Sequence, residues 1–265
     1  MVNPTSPNLQ NSIKKPRRRF QLGIKTLLLL TLVLALCIYG YTKVLKREQA
    51  IQLLTQHGYK IEFCEWDEVP LRYRLLSLIV GENGGLPVKS FTGGAEFELS
   101  EGPQIEAIAE LSEMTELSLE YMTRTDFDLT PLHSLVNVQK FLSWDACSID
   151  DSGIFGSMPK LRTFKMIEGT FDGDMAEFGR LKELKEVTIQ LSWLKMTDLS
   201  FDKFCNATAL EKLDLSHNYR REITDFSPLL KLKKLKELKG VLDPENPDHQ
   251  DLIDALPKGC DVEYE

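Results

Sequence analysis

The sequence lacks the short motifs that mark most catalytic machinery. It has no HExxH, no GxSxG, no P-loop and no GxGxxG. Its four histidines, His57, His133, His217 and His249, are not spaced to bind a metal. Ser216 and His217 adjoin, but neighbours on a strand point to opposite faces and make no nucleophile–base pair. The Gly84-Gly85 and Gly93-Gly94 pairs read as turns. No CxxC pair occurs: Cys37 lies in the leader, and Cys64, Cys147, Cys205 and Cys260 are far apart, which argues against zinc. Buried free thiols suit these four, although three disulfide pairings stay open on sequence alone. We therefore expect no enzyme, no cofactor and no metal.

Acidic residues are absent from residues 1–42, which hold Lys14, Lys15, Arg17, Arg18, Arg19 and Lys25. The remaining 223 residues hold 26 bases and all 40 acids, a net of −14. An acidic body argues against nucleic acid as a partner, because phosphate binding needs a basic face on the folded part. At 42% hydrophobic and 27% charged, the composition also excludes a chain disordered throughout.

What is present begins with an apolar leader. Residues 26–42 (TLLLLTLVLALCIYGYT) carry no charge, and residues 20–42 carry only Lys25. About 20 helical residues span a hydrocarbon core. The seven Leu, one Ile and one Val of the uncharged stretch together favour insertion by about 3–5 kcal/mol. Tyr39 and Tyr41 lie where an interfacial belt would be. Six bases precede or enter the segment, and Lys43, Lys46 and Arg47 follow it. That excess predicts a single-pass signal-anchor with a cytoplasmic N-terminus and the body across the membrane. A cleaved signal peptide is the competing reading. It lacks a small-x-small site, and Leu36 before Cys37 is too large for a lipoprotein box.

Residues 43–57 read as helix with its apolar residues near one face, stopped by Gly58, and residues 59–63 as a short strand. A second helix is expected over 71–80 and a turn at 83–85. Beyond this cap an apolar pattern with offsets 0, +3, +6 and +8 recurs. Its copies are Leu111-Met114-Leu117-Leu119, Met158-Leu161-Phe164-Met166, Leu181-Leu184-Val187-Ile189 and Ala207-Leu210-Leu213-Leu215. Leu135-Val138-Phe141-Ser143 and Leu232-Leu235-Leu238-Gly240 are degraded in one slot. Phe91-Gly94-Phe97-Leu99 and Leu256-Gly259-Val262-Tyr264 read as end repeats. Third positions follow one another at 20, 24, 23, 23, 26, 25 and 24 residues. The closing two-residue step places two side chains on one face of a strand, and the two before it suit a turn or short helix. One coil cannot bury its own apolar edge, whereas stacked coils share a continuous core.

The segment Leu213-Asp214-Leu215-Ser216-His217-Asn218 matches LxLxxN, and the chain resembles the leucine-rich-repeat family over about residues 91–264. The order of parts is also similar to the membrane-anchored leucine-rich-repeat proteins of planctomycete bacteria. The resemblance implies an α/β fold: a leucine-rich-repeat solenoid with a curved parallel sheet, and short helices or turns on its convex side. It also implies that Asn218 bonds backbone groups of neighbouring coils. Met122, Gly169 and Ser192 hold the equivalent slots, so the asparagine ladder is expected to be broken. The expected organisation is a basic tail (1–19), a transmembrane helix (20–42), an α/β cap (43–86) and the repeat domain (87–265).

In such a fold, residues alternating with the buried ones face outward on the concave side. Most are polar: Glu116, Ser118, Glu120, Thr163, Glu186, Thr188, Gln190, Lys212, Asp214, Ser216, Glu237 and Lys239, with Val241 at the end. Leu142, Trp144 and Ile167 stand out, with Lys140 and Lys165 beside them, as a candidate protein-binding patch. The alternative is that Trp144 turns inward to fill the slot where Ser143 stands. The basic run from Lys231 to Lys239 alternates with leucines and reads as a solvated face, and the Asn206-Ala207-Thr208 sequon carries little weight. Binding a protein of unknown identity is the expected function. A structural envelope or spacer role and regulation or inhibition of an enzyme are the alternatives.

Overall fold

The computed structural model describes residues 24–65, 67–69, 86–93, 102–120, 128–145, 148–149, 152–171 and 174–264. Contacts divide the chain into two units, Met1–Lys43 and Val44–Glu265. Helix α1 (Ile24–Gln56) crosses that boundary without interruption. The apolar stretch and the helix expected over 43–57 thus form one element. Nothing from Thr42 to Lys46 breaks a helix, so the amphipathic segment simply continues the apolar one. The helix ends where expected. Gly58 takes φ 78°, and the amide of Tyr59 bonds the carbonyl of Leu54. By length and composition α1 can cross a membrane.

In the second unit, α1 contributes Ala50 and Leu54 to the core. Arg47 donates from Nε to Glu113 at 2.5 Å and also bonds the carbonyl of Leu86. β1 (Lys60–Phe63) pairs antiparallel with β2 (Val88–Thr92) and covers the first edge of the main sheet. The expected helix at 71–80 and turn at 83–85 lie outside the described residues.

From β2 onward each coil adds one parallel strand: β3 (Glu116–Glu120), β4 (Lys140–Trp144), β6 (Thr163–Ile167), β8 (Glu186–Gln190), β10 (Lys212–Asp214), β12 (Glu237–Lys239) and β13 (Asp261–Glu263). The third apolar position of every repeat pairs with the next in register: Phe91, Leu117, Phe141, Phe164, Val187, Leu213, Leu238 and Val262. This corrects the first end repeat. Phe91 stands in the strand slot assigned to Phe97 and pairs with Leu117, so that interval is 26 residues rather than 20. Phe97 and Leu99 lie outside the described residues.

A second, smaller sheet holds β5 (Ser148–Ile149), β7 (Thr170–Phe171), β9 (Trp193–Thr197) and β11 (Tyr219–Glu222), in the order β11-β9-β7-β5. Between the two sheets the chain turns through one left-handed residue per coil: Asp145 (φ 44°), Glu168 (57°), Leu191 (52°) and His217 (57°). After the second sheet come short helical turns. Pro131 and Pro228 open two of them, and Asp128, Asp174 and Asp225 each accept a backbone N–H two residues on. The core between the sheets and these turns is aromatic. Phe155, Phe164 and Phe178 are fully buried with ring centroids 4.8–5.0 Å apart, and Phe204 continues the series.

The asparagine ladder is shorter than the family pattern but does not stop at Asn218. Its Oδ1 accepts from the Ser192 amide at 3.0 Å, and its Nδ2 donates to the Ile189 carbonyl. Ser192 takes up the role in its own coil. Its Oγ accepts from the Gly169 amide at 3.2 Å and donates to the Gln190 carbonyl at 2.7 Å. A hydroxyl thus replaces one step of the ladder.

Candidate functional site: the outward face of the main sheet

β4 and β6 position the five residues singled out from sequence. Lys140, Leu142 and Trp144 lie on one side of β4, and Lys165 and Ile167 on the same side of β6. Trp144 pairs directly with Ile167, and Leu142 with Lys165. Leu142 and Ile167 are therefore diagonal neighbours. Trp144 is 52% exposed, Leu142 and Ile167 are half-buried, and Ser143 points inward. The alternative, Trp144 turned into the core, is overturned. β4 is bonded along its length to both β3 and β6, and a one-residue shift would flip every other side chain on it. Ser143 is instead buried at 3% exposure with its hydroxyl unpartnered.

The two lysines of the group are committed elsewhere. Lys140 Nζ lies 3.8 Å from Glu116, and Lys165 Nζ lies 3.0 Å from Glu186. The same matching continues across the face. Lys212 meets Glu237 at 2.8 Å, and Lys239 meets Glu237 at 3.3 Å and Glu263 at 2.6 Å. The bonds to Lys212 and Lys239 hold the Glu237 carboxyl below its usual range, and those to Glu263 and Glu237 push Lys239 upward.

Several outward positions are not solvated, contrary to the sequence expectation. Ser118, Thr188, Asp214 and Ser216 are buried. Asp214 accepts from Gln190 Nε2 at 2.9 Å and from Ser216 Oγ at 2.6 Å. Ser216 is thereby tied to a carboxylate and is no nucleophile for His217. Val241 does not face outward at all: β12 ends at Lys239, Gly240 takes φ 66°, and Val241 is buried at 3%. A Cβ at Gly240 would stand 2.3 Å from the Ser216 Cα, so this turn requires glycine on two counts.

Two features escaped sequence reasoning. Three carboxylates rim the patch: Glu120 opposite Trp144 on β3, Asp145 after it, and Glu168 after Ile167. On the second sheet Trp193 and Tyr219 pair across strands with ring centroids 5.7 Å apart, both about half-exposed, and Leu191 is exposed at the corner. The strands of this second sheet fall outside the recurring 0, +3, +6, +8 offsets that located the main sheet.

Among the described residues no cluster of His, Cys, Asp and Glu is arranged to hold a metal ion. Cys37, Cys64, Cys205 and Cys260 are free thiols, and burial pushes Cys205 up to about 12. Cys147 lies outside the described residues. A shallow cavity of about 220 Å³ near the C-terminal end is lined by Ile223, Phe226, Val241, His249 and Tyr264. His249 Nδ1 accepts from the Asp243 amide there, which occupies that nitrogen structurally.

No family model and no curated protein matches this sequence. Solved structures do. An internalin (inlF) of Listeria monocytogenes superposes with a TM-score of 0.51 at 20% identity, over 66% of this chain and 54% of the internalin. Internalin C2 of the same bacterium gives 0.43 at 17% identity, over 64% and 72%. A leucine-rich-repeat protein of Leptospira interrogans gives 0.37 at 16%, over 57% and 46%. The first superposition shows a common fold, that of the leucine-rich repeat; the other two are too loose to carry an argument. The chain spans about half the length of that internalin.

Proposed function

We propose that this leucine-rich-repeat chain is a membrane-anchored binding protein that engages a protein partner through the outward face of its main sheet. The coils stack as a solenoid, that face is its concave side, and Lys140, Leu142, Trp144, Lys165 and Ile167 form the contact. The observation that carries the reading is Trp144, half-exposed on a strand whose register to both neighbours fixes it outward. A large aromatic held in water beside Leu142 and Ile167 is costly unless something covers it. Helix α1 serves as the anchor, and the basic excess before it sets the N-terminus in the cytoplasm and the repeats outside it. In this reading the basic tail (1–19), the anchor (20–42), the cap (43–86) and the repeats (87–265) are successive parts of one membrane-anchored protein, an order that resembles the membrane-anchored leucine-rich-repeat proteins of planctomycete bacteria.

The test is affinity capture by the full-length chain in detergent, followed by mass spectrometry. Wild type retains a protein that Trp144→Ala loses by at least ~10-fold, while both keep the same unfolding midpoint. Retention unchanged by Trp144→Ala, with only the midpoint lowered, would show Trp144 to be a packing residue. A specific observation supports a second reading, a spacer without a discrete ligand: the lysines and glutamates over most of the face already neutralise one another. That reading requires no protein to be captured in a Trp144-dependent way.

A further inference from the structure

The Trp144 patch differs from the rest of the sheet in how its charges are matched. Across the face these outward lysines, Lys140 and Lys165 of the patch included, each lie against a carboxylate of a neighbouring coil. Around Trp144 the excess is acidic. Glu120 stands directly across from it, Asp145 follows it at the left-handed corner, and Glu168 holds the same corner one coil on. Among the described residues none of the three has a basic partner, and Glu120 accepts only the Ser118 hydroxyl. Lys140 and Lys165, the nearest cations on these strands, are held by Glu116 and Glu186.

We infer that the Trp144 patch docks a cationic segment of its protein partner, with a Lys or Arg side chain against the indole and its charge facing Glu120, Asp145 and Glu168. The inference rests on the reading of this face as the binding face, and it adds the chemistry of the occupant. An indole attracts a cation through its ring face, and Leu142 and Ile167 exclude water from the contact and so strengthen that attraction. The carboxylates supply selectivity: a basic segment meets three opposite charges, whereas an acidic one meets three like charges. The net −14 of residues 43–265 acts in the same direction at longer range, drawing a basic partner toward the body. An acidic or neutral segment would leave this rim unmatched.

The experiment uses the full-length protein in uncharged detergent and three synthetic peptides of equal length. All carry the same leucines, with Arg and Lys in the first, Gln at those positions in the second and Glu in the third. Calorimetric titration should show the basic peptide binding at least ~10-fold more tightly than the other two. Trp144→Ala, and the triple substitution Glu120→Gln, Asp145→Asn, Glu168→Gln, should each weaken it at least ~10-fold, while Trp144→Phe retains most of the affinity. A control triple, Asp248→Asn, Asp251→Asn, Asp254→Asn on the exposed helix Pro247–Ala255, should stay within ~2-fold. Equal losses in the two triples would reduce the effect to general attraction by an acidic body and overturn the proposal. So would tighter binding of the Glu peptide, or no binding of the basic one. If a protein captured through Trp144 is not displaced by excess basic peptide, the binding face stands and the cationic occupant falls.

Discussion

Ser143 occupies a slot that Leu119, Met166, Ile189 and Leu215 fill in other coils. Its hydroxyl is buried without a partner, and an orphaned buried hydroxyl costs about 1–3 kcal/mol. Ser143→Ala removes the group with little change of volume. We expect it to raise the unfolding free energy by about 1 kcal/mol, read as a higher urea midpoint at unchanged slope. A lowered midpoint would mean that the hydroxyl is satisfied. The defect itself was legible in the sequence, because the offsets exposed a polar residue in an apolar slot. Its consequence was not. Whether Trp144 moved in or Ser143 stayed depended on the register of β4 with both neighbours, a property of three coils together. The rim was hidden for a related reason. Glu120, Asp145 and Glu168 are distant in sequence from one another, and only the register sets them beside Trp144 on adjoining strands. Leu191 is a further surprise at this scale: a leucine at φ 52° bears about 1–2 kcal/mol of strain that glycine would not.

Elements were read well where they repeat and poorly where they do not. The third apolar positions located seven of the eight parallel strands of the main sheet, and the first was misplaced because Phe91 and Phe97 both offered an aromatic at a workable spacing. Along helix α1 the charge changes at residue 42, where the apolar stretch meets the helix read over 43–57. Helical geometry does not follow charge, and the backbone passes through. Between coils the most specific tie is made by Asp198, the first residue of the helix Asp198–Phe204. Its carboxylate accepts from the Thr224 amide at 2.6 Å, the Thr224 hydroxyl at 2.7 Å and the Asp225 amide at 2.9 Å. The backbone bond from Asp225 and those from Thr224 hold its pKa below the ordinary 3.8. A depressed carboxylate pKa adds stability that is fully present above 3.8 and is lost as pH falls through the lower folded-state value. Asp198→Ala should therefore be less stable than wild type at about pH 7, and the gap between them should narrow as pH falls below about 4. Urea melts at a series of pH values measure this, and a gap independent of pH would assign the loss to packing instead.

At the scale of the whole molecule, the fold was legible because a repeat states its architecture many times over. Each repeat contributes one strand to the main sheet, and the same apolar slots recur from Leu117 to Val262. The site was legible only in part. Its aromatic and aliphatic members stood out against a polar face, but the ion pairs that neutralise the rest of that face, and so isolate the patch, required coordinates. The central claim is that the protein meets its partner through the Trp144 face. The most direct test is a photo-reactive residue placed at Ile167 in the full-length chain in cells, with Leu199 as the control. Leu199 is 66% exposed and lies outside the main sheet. The account predicts one dominant cross-linked protein from position 167 and none from 199. No adduct at 167, or one no stronger than that at 199, would contradict it.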